Sequence, residues 1–128
     1  MGSLQRVLYV EDEPDIRTVA RLALEMVGGM QVKICSSGEE ALLEAVAFAP
    51  DMILLDVMMP GMDGPTTLLN LRKLPELKKV PIAFMTAKVQ AAEVAQYRAL
   101  GAKGVIPKPF DPMTLATQVR ALWEESDG

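Results

Sequence analysis

Carboxylates, a hydroxyl and a lysine stand directly after four short apolar runs of this chain. Glu11, Asp12 and Glu13 follow a run ending at Val10, Asp56 follows Leu55, and Thr86 follows Met85. Lys108 sits within Pro107-Lys108-Pro109-Phe110, after another such run. Carboxylates gathered at one place repel one another and push one pKa upward. A divalent cation relieves that repulsion, and hard oxygens with open positions suit Mg²⁺, whose octahedron is completed by water or phosphate. A lysine beside them supplies a second positive point for a phosphoryl group. Each residue also has a simpler reading on its own. Acids opening a helix complement its dipole, an Asp after Ile-Leu-Leu begins a turn, a strand-end Thr is structural, and a lone Lys is solvated. It is the conjunction that points to chemistry.

The elements that must bring these residues together are readable from the pattern. Five short, almost continuously apolar runs, at 7–10, 32–35, 52–55, 81–85 and 104–107, have the length and composition of strands covered on both faces. Helical spacing separates them. Ile16, Val19, Ala20, Ala23 and Val27 share one face, ended by Gly28-Gly29. Ala41, Leu42, Ala45 and Phe48 follow Ser37-Gly38 and stop before Pro50, and Leu68, Leu71 and Leu74 precede Pro75. A fourth helix is expected over 90–100, with Gly101 at C′. A fifth carries Leu115, Val119 and Leu122, with Pro112 expected in its first turn. The pattern is βα repeated five times, an α/β domain with a parallel sheet. In such sheets sites form beyond the carboxyl ends of the strands, which is where the polar residues fall.

Composition bounds the alternatives. The 128 residues suit one domain, 1–128, in which Met1-Gly2-Ser3-Leu4 carries no chemistry and is a candidate expression remnant. Half the residues are hydrophobic and 23% are charged, which argues against disorder. The net charge of −4 argues against direct nucleic-acid binding. No apolar run approaches a membrane span, so no membrane partner is expected and a cytoplasmic, reducing setting is the simplest one. There is no histidine, which removes Ser-His-Asp triads, His-ligated zinc and histidine bases together. The single cysteine, Cys35, reads as a small buried hydrophobe, and Met58, Met59 and Met62 read as packing residues.

Four segments carry a resemblance. Val10-Glu11-Asp12-Glu13, the stretch from Leu55 through Asp56 to Gly64, Met85-Thr86-Ala87 and Lys108-Pro109-Phe110 resemble, in order, the receiver domain of two-component response regulators. The resemblance implies a single doubly wound (βα)5 fold of the flavodoxin-like kind, with strand order 2-1-3-4-5. It implies that Asp56 accepts a phosphoryl group from a phosphohistidine on a sensor histidine kinase or histidine phosphotransfer protein. Asp12, Asp56 and the backbone carbonyl of Met58 would hold Mg²⁺ or another divalent cation, with Glu11 acting mainly through water. Thr86 and Lys108 would each bind a phosphoryl oxygen, and Lys108-Pro109 would be cis. The domain would be regulatory rather than an enzyme, assisting only its own phosphotransfer and dephosphorylation. Its output would be a switched surface for an effector protein or for a domain absent from this chain.

The chain also departs from the family. Val105 stands where many members carry a switch aromatic, and Met58 and Lys88 flank the site where members differ in dephosphorylation rate. Pro107 removes a strand N–H beside the lysine, tolerable at a strand end or edge. Three rivals are weighed against this reading. A small α/β phosphatase would want a second acid where Met58 stands. A nucleotide or flavin module would want a Gly-rich or hydroxyl-rich first loop instead of Glu11-Asp12-Glu13. A receiver-like domain used only for contact would not need the intact set of Asp12, Asp56, Thr86 and Lys108.

Overall fold

The computed structural model describes residues 3–125. Five strands form one parallel sheet: β1 (Arg6–Val10), β2 (Gln31–Cys35), β3 (Met52–Asp56), β4 (Ile82–Thr86) and β5 (Gly104–Pro107). The order across it is β2-β1-β3-β4-β5, the doubly wound arrangement expected from the sequence. Four helices cross over between strands, α1 (Pro14–Leu22), α2 (Gly38–Phe48), α3 (Gly64–Leu71) and α4 (Ala91–Leu100), and a fifth, α5 (Leu115–Glu124), follows β5. Every residue of β3 and β4 is buried, as continuous apolar runs demand when helices cover both faces.

Alternation along each strand feeds two separate cores. Val7, Tyr9, Leu54 and Met85 pack toward α1 and α5 with Ala20, Leu24, Leu115 and Val119. Leu8, Val10, Ile53, Leu55 and Phe84 pack on the other side with Ala41, Ala45, Leu68 and Leu71. Because the side-chain period is two, a one-residue slip would exchange these sets, so the register is strongly specified. Of the opening tetrapeptide, Met1 and Gly2 lie outside the described residues, while Leu4 is buried in the first core.

Three expectations need correcting. The α1 stripe does not continue to Val27. A π-helical turn spans Ala23–Val27, and the Gly28 N–H reaches the Ala23 carbonyl at 3.2 Å. The wider turn brings Leu24 and Gly28 inward and leaves Val27 exposed; Val19, within α1, is exposed as well. A Cβ on Gly28 would lie 2.7 Å from the Ala116 Cβ, so only glycine fits there. Pro112 is not in the first turn of α5. It lies in a preceding turn, where the Asp111 carbonyl accepts from the amides of Thr114 and Leu115, and the helix starts at Leu115. Met58 is not a packing residue either: its side chain is exposed, whereas Met59 is buried and Met62 half-buried. Cys35 is buried, as expected.

Candidate functional site

The carboxyl ends of β1, β3 and β4 and the residue after β5 meet at one edge of the sheet. Backbone hydrogen bonds fix each of them. The Glu11 amide donates to the Cys35 carbonyl, and the amide after Asp56, that of Val57, donates to the Met85 carbonyl. The Lys108 amide donates to the Thr86 carbonyl at 2.9 Å, so the β5 end is tied to the β4 end. Lys108-Pro109 is a cis peptide. Pro107 falls at the end of an edge strand, where its missing N–H costs no ladder bond.

The loop after Asp56 is held by a close approach. The Gly64 amide donates to the Val57 carbonyl, and a Cβ on Gly64 would stand 2.5 Å from the Asp56 carbonyl oxygen. Gly61 has φ +76°, a conformation glycine adopts without penalty. Asp63 caps α3 by accepting from the Thr66 amide.

The side chains converge as the strand ends require. Lys108 Nζ lies 3.0 Å from Glu11 Oε1 and 3.1 Å from Asp56 Oδ1, bridging two buried carboxylates. Asp56, Met58, Thr86 and Lys108 line a cleft of about 170 Å³ with Glu13 and Ala87. Thr86 Oγ1 accepts from the Lys88 amide at 3.1 Å, which ties it to the loop leading into α4. Burial raises the Asp56 carboxyl to about 6, with the neighbouring Glu11 charge adding to the rise and Lys108 opposing it. Burial pulls the Lys108 ammonium down, but its contacts with Glu11 and Asp56 outweigh this and hold it above the usual lysine range.

Glu11, Asp12 and Asp56 each offer a carboxylate oxygen, and these oxygens lie within 4.8 Å of one another. An all-oxygen set of this spacing, partly open to solvent through half-buried Asp12, fits a hard divalent cation. The raised Asp56 carboxyl is the electrostatic counterpart of that fit. Glu13 is exposed, outside the bridged carboxylate pair but on the rim of the cleft. The structure therefore brings Glu11, Asp12, Asp56, Thr86 and Lys108 to one place, with Met58 on its wall. Val105 is half-buried on β5, paired with Phe84.

Two contacts are not apparent from spacing alone. The Tyr9 hydroxyl donates to Glu11 Oε1 at 3.0 Å inside the first core, and Arg17 donates to the Glu11 carbonyl at 2.9 Å. The available signal for Tyr9 is a polar-tipped ring in the otherwise aliphatic run from Val7 to Val10, two residues before an acid.

Comparison with known proteins places this arrangement. The family model for the response regulator receiver domain matches residues 7–120. The alkaline phosphatase synthesis transcriptional regulatory protein PhoP of Bacillus subtilis is 36% identical over 96% of this chain and 50% of its own length. The DNA-binding dual master transcriptional regulator RpaA of Synechocystis sp. is 33% identical over 97% of this chain and 51% of its own. The chain thus spans about half the length of the curated relatives it matches. Among solved structures, the chemotaxis protein CheY4 of Vibrio cholerae superposes with a TM-score of 0.86 at 31% identity, covering 94% of this chain and 99% of that one. A response regulator from Chloroflexus aurantiacus gives 0.83 at 30%, covering 94% and 98%. A match over nearly the whole sheet, with the acids, hydroxyl and lysine at its carboxyl edge, has one consequence: the chain belongs to the receiver domain family of response regulators in two-component signalling.

Proposed function

We propose that Asp56 is the phosphoacceptor of this domain. The observation that carries the reading is the Lys108 bridge, which aims the only cation contacting Asp56 among the described residues at its carboxylate, beside a three-acid cluster and the Thr86 hydroxyl. Phosphoryl transfer asks a protein mainly for in-line positioning and charge neutralisation, and these residues divide that work. An Asp56 carboxylate oxygen attacks phosphorus, the donor P–N bond breaks, and the electron pair returns to an imidazole nitrogen that the partner must supply. The chain's lack of histidine is consistent with a borrowed donor. Lys108 remains ion-paired to the new phosphoryl oxygens, and Thr86 donates its hydroxyl to another.

Glu11, Asp12, Asp56 and the Met58 carbonyl are the groups that would hold Mg²⁺. When bound, the ion neutralises charge shared by acceptor and phosphoryl oxygens. Asp12 is the half-buried member of the set, whereas Glu11 and Asp56 are buried, so it is the carboxylate most accessible to an entering cation. The domain is a regulatory one, and its partners are a histidine kinase or phosphotransfer protein and a downstream effector. No helix among the described residues is long and apolar enough to cross a membrane, which is consistent with a cytoplasmic location.

Intact-mass measurement after incubation with a small-molecule phosphodonor and Mg²⁺ tests the reading. One added phosphoryl group is expected in the wild type, none in Asp56→Asn and none in excess chelator. Equal labelling of wild type and Asp56→Asn overturns the assignment.

A further inference from the structure

Tyr9 is the largest side chain enclosed by the sheet and its helices, with no exposure at all, and among the four buried residues of β1, Val7 to Val10, it is the one that ends in a polar atom. Burying a phenol hydroxyl is unfavourable unless it is hydrogen-bonded. Its partner here is Glu11, which is equally buried and lies two residues further along the same strand direction. Residues at i and i+2 of a strand share a face, so the ring runs beneath the glutamate and reaches it from the core side. A phenylalanine would fill the same space between Val7, Leu54 and Met85 without the hydroxyl. Packing therefore accounts for the ring and leaves the oxygen to be explained.

The donor pattern on Glu11 supplies the explanation. Oε1 accepts from the Tyr9 hydroxyl at 3.0 Å and from Lys108 Nζ at 3.0 Å. Among the described residues, Oε2 accepts only the Glu13 amide, at a long 3.3 Å. One oxygen is thus occupied by two good donors while the other keeps its remaining lone pairs. A glutamate has one more rotatable bond than an aspartate, and its terminal torsion is broad, so an unheld carboxylate would turn freely. We propose that Tyr9 is a positioning residue for the metal-binding carboxylates. It locks the Glu11 carboxylate so that Oε1 serves Lys108 and Oε2 stays available to the cation or its water. It also keeps Lys108 from being held by Glu11 through both oxygens, which leaves the ammonium free to face Asp56. The proposal rests on the Mg²⁺ reading given above and extends it to a residue inside the core, behind the site.

Calorimetric Mg²⁺ titration of the phosphate-free protein separates the two. Wild-type binding that is abolished by Asp12→Ala supports the metal reading itself; no wild-type binding removes that reading and this proposal with it. Given wild-type binding, Tyr9→Phe is expected to weaken it about tenfold, the low end of the range for partners that orient a ligand from outside. In a Glu11→Ala background the same Tyr9→Phe change is expected to do nothing, because the path through Glu11 is gone. Unchanged or tighter binding in Tyr9→Phe overturns the proposal, as does equal weakening with and without Glu11. A merely structural tyrosine would lower the melting temperature and leave the Mg²⁺ affinity alone. An arm that does not need Tyr9→Phe to fold uses fluorotyrosine incorporated into Tyr97→Phe, which leaves Tyr9 as the reporting ring. Its fluorine resonance is expected to move on Mg²⁺ saturation, and a stationary resonance contradicts the proposal.

Discussion

Replacing Asp56 with Asn should stabilise the metal-free protein, by an amount that grows with pH. Asp56 is 4% exposed, and burial with the nearby Glu11 charge raises its carboxyl from the ordinary 3.8 to about 6 despite Lys108. At about 1.36 kcal/mol per pKa unit, carrying this charge at neutral pH costs the fold about 3 kcal/mol. The sign follows from proton binding. The folded state holds the Asp56 proton more tightly than the unfolded state, so this contribution favours folding at low pH. It is lost as pH rises from about 4 through about 6 and then stays constant. Asn carries no charge at any pH, and its carbonyl oxygen still accepts from Lys108. The variant should therefore exceed wild type by about 3 kcal/mol at pH 7.5 and by about half as much at pH 5, where Asp56 is mostly protonated in the fold. Titrating groups remote from Asp56 cancel in the difference, whereas Glu11 and Lys108 also lose a charged neighbour in the variant. Urea denaturation of both proteins in chelator at the two pH values measures it. A wild type as stable as Asp56→Asn at pH 7.5, or a difference that does not change with pH, would refute the electrostatic argument.

Added Mg²⁺ should raise the stability of the wild type by about 2.7 kcal/mol at a hundredfold excess over Kd, and by much less in Asp12→Ala; equal thermal shifts in the two would contradict the metal assignment. Gly64→Ala should destabilise by about 1–3 kcal/mol and lower labelling at Asp56, since its Cβ would stand 2.5 Å from the Asp56 carbonyl oxygen and one of them must move. Denaturation and labelling measured on the same sample check both halves. A phosphoryl mimic should shift amide resonances mainly within 86–105, because Thr86 is tied to the Lys88 amide and α4 is the most lightly anchored helix, with no fully buried residue and Tyr97 set edge-on against Phe84. Shifts confined to α2, with 86–105 unaffected, would show that the signal leaves by another route. With Val105 short and stiff in place of an aromatic switch, the two states should also be less sharply separated than in a receiver that has one.

The sheet was legible because each strand is a short apolar run set between helical periods. The acids, the hydroxyl and the lysine were legible because strand ends are where such sheets place sites. What escaped was whatever depends on depth and exact helical phase. The π-helical turn at Ala23–Val27 has no composition signal beyond Gly28, yet it decides that Leu24 rather than Val27 enters the core. Pro112 fits a first turn by type, but Asp111 builds its own turn ahead of α5 and postpones the helix to Leu115. Met58 looks like a core residue in a Met-rich loop, and the sharp path between Asp56 and Gly64 turns it out to solvent. The Tyr9 hydroxyl escaped for a different reason. An aromatic in a buried strand explains itself by packing, and only the three-dimensional donor pattern on Glu11 reveals its polar end.

The most direct test of the account is chemical mapping of the labelled residue. An acyl phosphate on an aspartate is reduced by borohydride to homoserine, which peptide mass spectrometry locates in the chain. Protein treated with phosphodonor and Mg²⁺ should yield homoserine at position 56 alone, with Lys108→Ala yielding far less. Homoserine at position 12, or a phosphoryl group on Thr86 that borohydride leaves intact, would contradict the assignment of Asp56 as acceptor.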